Sequence, residues 1–81
     1  MAYSKYFTEL TTGRTWHVSV VENPKGKVIE FVDMKHEQFV SSYFVDTFMG
    51  IEHGLDLHGG YPEWLLTDET VQEIQEWIGT L

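Results

Sequence analysis

The chain has no cysteine, only two prolines, and no lysine or arginine after residue 35. Without cysteine there is no disulfide framework and no thiolate metal site, which excludes the small extracellular scaffolds that depend on either. The missing cations leave residues 36–81 with nine carboxylates and a balance of −9. Residues 1–35, which hold Lys5, Arg14, Lys25, Lys27 and Lys35, balance at +1. So long a stretch cannot neutralise itself by local pairing. A compact fold is expected to show an acidic region whose field repels nucleic acid and anionic membrane. No apolar run approaches membrane-spanning length, and Met1-Ala2-Tyr3-Ser4-Lys5 leads into no apolar signal core. These absences predict a soluble, cytoplasmic protein that binds neither nucleic acid nor membrane directly.

What is present argues for an ordered core. The 81 residues are 42% hydrophobic and 15% aromatic, and this length allows one domain over 1–81. Tyr3 to Leu10 reads as a strand, with Thr11-Thr12-Gly13-Arg14 as the turn after it. Thr15 to Glu22 alternates, placing Trp16, Val18 and Val20 on one face. Asn23-Pro24-Lys25-Gly26 is a second turn, and Lys27 to Asp33 carries Ile29 and Phe31 inward. Short turns make an antiparallel meander the economical topology.

Residues 38–50 are ambiguous. Phe39, Val40, Tyr43, Phe44 and Phe48 recur at helical spacing, yet their β-branched and aromatic character suits a strand. The expectation adopted is Phe39-Val40 extended, then a helix capped by Ser41 or Ser42 and running through Met49 to Gly50. Leu55 and Leu57 point inward from a short strand that Gly59-Gly60 ends. The last element is the clearest: a helix over 68–79, started by Thr67 or Asp68. Its apolar stripe is Val71, Ile74, Trp77, Ile78 and Leu81, with Glu73, Gln75 and Glu76 mostly away from it. The predicted fold is therefore α+β, a twisted antiparallel sheet of three or four strands packed by two helices. Trp16, Phe31, Phe39, Phe44, Phe48 and Trp77 are its expected inward rings.

Few residues carry a chemical signal. His53, Asp56 and His58 are suitable metal ligands, but on a strand the two histidines face opposite ways. Only Asp56 and His58 would share a face, and no compact ligand pattern results. Gly59-Gly60 reads as a turn rather than a phosphate cradle, since no Lys or Arg follows. Ser41-Ser42 lacks the setting of a nucleophile. His17 and His36 are accounted for by exposed strand and turn positions. No catalytic residue, cofactor or metal is predicted. Tyr61 and Trp64 flank Pro62 beside Glu63, a loop that either anchors a protein partner or folds Trp64 back over the sheet edge. The predicted partner-binding residues are Asp56, Tyr61, Glu63, Trp64, Glu69, Glu73 and Glu76.

Small size, no cysteine, lopsided acidity and no catalytic motif give a chain that resembles, in type, small phage-encoded anti-defence proteins such as anti-CRISPR and anti-restriction inhibitors. The resemblance implies a non-enzymatic inhibitor acting in the host cell. Its carboxylates would stand where phosphates sit and occlude the nucleic-acid-binding site of a basic defence or host protein. Acidity that serves solubility alone is the plainer alternative. Two further readings are a structural or assembly protein that oligomerises through exposed aromatics, and a metal-dependent enzyme or ligand binder using His53, Asp56 and His58.

Overall fold

The computed structural model describes residues 2–81; Met1, part of the expected opening segment, lies outside the described residues. Four strands run β1 (Ala2–Glu9), β2 (Arg14–Asn23), β3 (Gly26–Asp33) and β4 (Gln38–Phe44), paired antiparallel in that order. Helix α1 (Val45–Met49) follows, then a small hairpin of β5 (Leu55–Asp56) and β6 (Leu65–Leu66), and finally α2 (Asp68–Gly79). The fold is α+β as expected, and α2 spans the predicted residues.

Alternation builds the core. The inner sheet face carries Phe7, Trp16, Val18, Ile29 and Phe31, all buried, and both helices and the hairpin cover it. Phe48 of α1, Leu57 and Leu66 of the hairpin, and Val71 and Ile74 of α2 complete the cluster. Edge-on and tilted rings fill its centre, with Phe31 against Trp16, Tyr43 and Phe48.

Residues 38–50 depart from the expectation. The strand continues to Phe44, and Ser41 and Ser42 pair with Phe31 and Glu30 instead of capping a helix. The free edge of β3 offers a hydrogen-bonding ladder to β-branched and aromatic residues, whereas a short helix satisfies few groups of its own. Val32 pairs with Phe39 and Phe31 with Ser41, leaving Val40 as the extra residue of a β-bulge. The bulge produces the helix-like spacing: it turns Val40 inward, three residues before the inner-face Tyr43. Phe39 and Phe44 therefore point outward and are exposed, not inward. Helix α1 keeps only five residues and has no side-chain cap.

Trp77 also differs. Its ring is half-buried, edge-on to Phe7 at 5.7 Å, while Ile74 is the fully buried anchor of α2. Trp77→Ala should thus cost less than the about 3–5 kcal/mol of a fully buried ring.

Candidate functional site

The start of α2 is fixed by three acceptors, the neighbours Thr67 and Asp68 and the distant Glu9 of β1. The Thr67 hydroxyl caps the helix by accepting from the Thr70 amide at 3.4 Å. Asp68 accepts the Gly54 amide, and the buried carboxylate of Glu9 accepts the Thr67 amide at 2.8 Å and the Thr11 amide at 3.2 Å. Burial acts to raise the Glu9 pKa. Bonds from the Thr67 amide, the Thr70 hydroxyl and the Thr11 amide outweigh it, so the group stays below its ordinary value of 4.5. Clamped this way, α2 turns Thr70, Val71 and Ile74 inward and leaves Glu69, Gln72, Glu73 and Glu76 exposed.

At about 100° per residue Glu69, Glu73 and Glu76 fall within an arc of about 60°, rising about 6 and then about 4.5 Å along the axis. The three carboxylates form one stripe. Among the described residues the ion pairs are Arg14 with Asp33, Lys27 with Glu22, and His36 with Asp33, so none reaches α2. Gln72 donates to Glu76 at 3.3 Å. Lys5 borders the groove beside Glu73 and Glu76, but its ammonium lies over the Phe7 ring, 5.4 Å from the centroid.

The hairpin between β5 and β6 carries a second group. Gly59 and Gly60 take positive φ at its tip, and Pro62 starts a single 3₁₀ turn over Pro62–Trp64. The Asp56 carboxylate accepts the His58 amide at 2.9 Å, and the Leu57 amide donates to the Trp64 carbonyl at 3.0 Å. The His58 ring meets Trp64 edge-on at 4.5 Å, and Tyr61 lies 5.8 Å from Trp64. Of the expected aromatic pair only Tyr61 is exposed. Trp64 is half-buried and packs against the core, which makes it the support on which Tyr61 and His58 rest. Glu63 is exposed on the 3₁₀ turn.

The predicted partner residues thus fall into two groups: Asp56, Tyr61, Glu63 and Trp64 on the hairpin, and Glu69, Glu73 and Glu76 on α2. No hydrogen bond, ion pair or ring contact described links the two groups directly. His53 sits in the exposed loop before β5, apart from the His58 ring stack. Among the described residues no group of three or more metal-ligating side chains comes together.

Sequence reasoning missed the polar network at the same end of the sheet as Glu9, where Arg14 pairs with Glu9 in register and reaches Asp33. Asp33 is buried, and its carboxylate takes Arg14, the His36 ring at 2.8 Å and the Lys35 amide at 3.0 Å. Burial again acts to raise this pKa, while the His36 and Lys35 bonds and the Arg14 charge bring it below the ordinary value. The signal was the alternation itself, which puts Glu9 on the face of Phe7 and Asp33 on the face of Phe31. The structure contains no helix long and apolar enough to cross a membrane among the described residues. In comparison with known proteins, no family model matches the chain, and no curated protein or solved structure matches it.

Proposed function

We propose that this chain is a non-enzymatic binding protein that places the acidic stripe of α2 in a nucleic-acid-binding groove of a basic protein partner. The observation that carries this reading is that Glu69, Glu73 and Glu76 share one exposed helix face and have no cation within ion-pairing distance. Carboxylates without an ion-pair partner on a helix present a net negative field to a partner, offset in part by Lys5 beside Glu73 and Glu76, and fixed spacing favours a lattice of Lys and Arg built to hold phosphates. The exposed Tyr61, beside Glu63 and Asp56, supplies a flanking aromatic contact of the kind that anchors protein interfaces. In this reading the protein is an inhibitor of the anti-defence type, acting in the cytoplasm of a host cell.

The test is capture of partners from nuclease-treated bacterial lysate by the wild-type chain and by Glu73→Lys/Glu76→Lys. The expected result is retention of nucleic-acid-binding proteins by the wild type alone, with release by salt and by competing duplex DNA. Partners that resist salt, DNA and the double reversal would sink the proposal.

A further inference from the structure

We infer that the open face of the four-stranded sheet is a self-association surface on which a second copy of this chain packs. Both helices and the β5–β6 hairpin lie on the inner face, and no element among the described residues covers the other. A solvated antiparallel face ordinarily reads polar. Here strand alternation and the bulge at Val40 place Tyr6, Val32 and Phe39 on one side, and Val21, Val28 and Phe44 on the other, of a polar row of Ser4, Ser19, Glu30 and Ser42 that crosses the sheet. Tyr6, Phe39 and Phe44 are 59%, 54% and 51% exposed. Tyr6 stacks on His17 of β2 at 4.7 Å, which fixes one side of the patch.

Charge selects the occupant. By pairing register, Glu30 is the one charged residue of this face within the strands, on a chain of net charge −8. A basic partner would find almost nothing here to pair with, and neither would an acidic one. Two copies meeting on this face bring only their Glu30 carboxylates into the contact and keep their other like charges apart, which no approach along α2 allows. Area agrees. Four strands about 4.8 Å apart and about seven residues long at about 3.4 Å each present roughly 450 Å² in projection. Side-chain relief adds to that, so a pair buries roughly 1,000 Å² or more, the lower bound for a specific interface. The product is a weak, reversible dimer of sandwiched sheets, with both α2 stripes facing outward. This proposal does not depend on the acidic-stripe reading.

Its salt dependence has the opposite sign to that of an acidic stripe on a basic groove, because screening removes the residual repulsion between like-charged copies. Sedimentation equilibrium between about 5 µM and about 1 mM, a range that brackets weak interfaces, should show the mass rising from 9.4 kDa towards twice that value. Added salt should strengthen the association. Phe39→Lys and Phe44→Lys should each raise the dissociation constant about tenfold or more, since a cation must then be desolvated at the contact. Tyr6→Lys serves if either variant loses its melting transition. Tyr61→Ala, on the hairpin, should leave the self-association constant unchanged. A 9.4 kDa species at every concentration overturns the proposal. So does a dimer that ignores all three lysine variants, or one that Tyr61→Ala dissolves.

Discussion

Glu9 and Asp33 are the two buried carboxylates of the sheet, and both are held below their ordinary pKa by bonds that outweigh burial. A depressed folded-state pKa stabilises the fold above the unfolded value and loses that contribution as pH falls through the folded value. Stability should therefore be level above the ordinary values of 4.5 for Glu9 and 3.8 for Asp33 and decline below them. In Glu9→Gln and Asp33→Asn the melting midpoint should be lower near neutrality, and the acid decline shallower. Thermal melts between about pH 7 and pH 2 check this, and a decline as steep in both variants as in the wild type would assign acid sensitivity to other groups. Arg14 and His36 share the Asp33 carboxylate, so Asp33→Asn also weakens the tie that closes the β1–β2 turn onto the β3–β4 turn.

Helix α1 is too short to hold itself, and its exit is stapled from outside. The Gln75 side chain of α2 donates to the Phe48 carbonyl at 3.0 Å and to the Ile51 carbonyl at 2.8 Å. Removing both bonds in Gln75→Ala should cost about 1–2 kcal/mol, because partly buried carbonyls lose their donors. Gln72→Ala, on the exposed side of the same helix, should stay within about 0.5 kcal/mol of the wild type. Urea unfolding of the two variants measures the difference. The role of Gln75 was illegible in the sequence, where a polar residue beside an apolar stripe reads as solvated. The meander and α2 were legible, because Trp16, Val18 and Val20 repeat at period two and Val71, Ile74 and Ile78 at the helical period. Residues 39–44 were not, since a bulge breaks period two and imitates the period of a helix. Of the candidate site, the acidic stripe of α2 follows directly from its apolar side. The folding back of Trp64 was one of the two outcomes the sequence offered for its loop, but the stacking of His58 on that ring was not legible, because loop contacts depend on where the glycines turn the chain.

At the scale of the molecule, charge is unevenly spread: six carboxylates lie on α2 and the hairpin, and Glu30 alone on the open face of the sheet. A chain at −8 with three described ion pairs, two of them on the single residue Asp33, carries uncompensated repulsion in its folded state. Its melting midpoint should rise as sodium chloride increases from about 10 mM to about 500 mM, as the screening length shortens from about 30 Å to under about 8 Å. Calorimetry at low protein concentration isolates this from self-association. The Glu9 clamp, finally, imposes an order in time. Glu9 lies 58 residues before the Thr67 amide it accepts. During synthesis, the strand that bears it can pair with its one neighbour, β2, through local contacts before α2 exists. Until then Glu9 is a hydrated carboxylate on an uncovered sheet. Helix α2 is thus the latch of the fold: its opening returns the part of the inner face under Val71 and Ile74 to water.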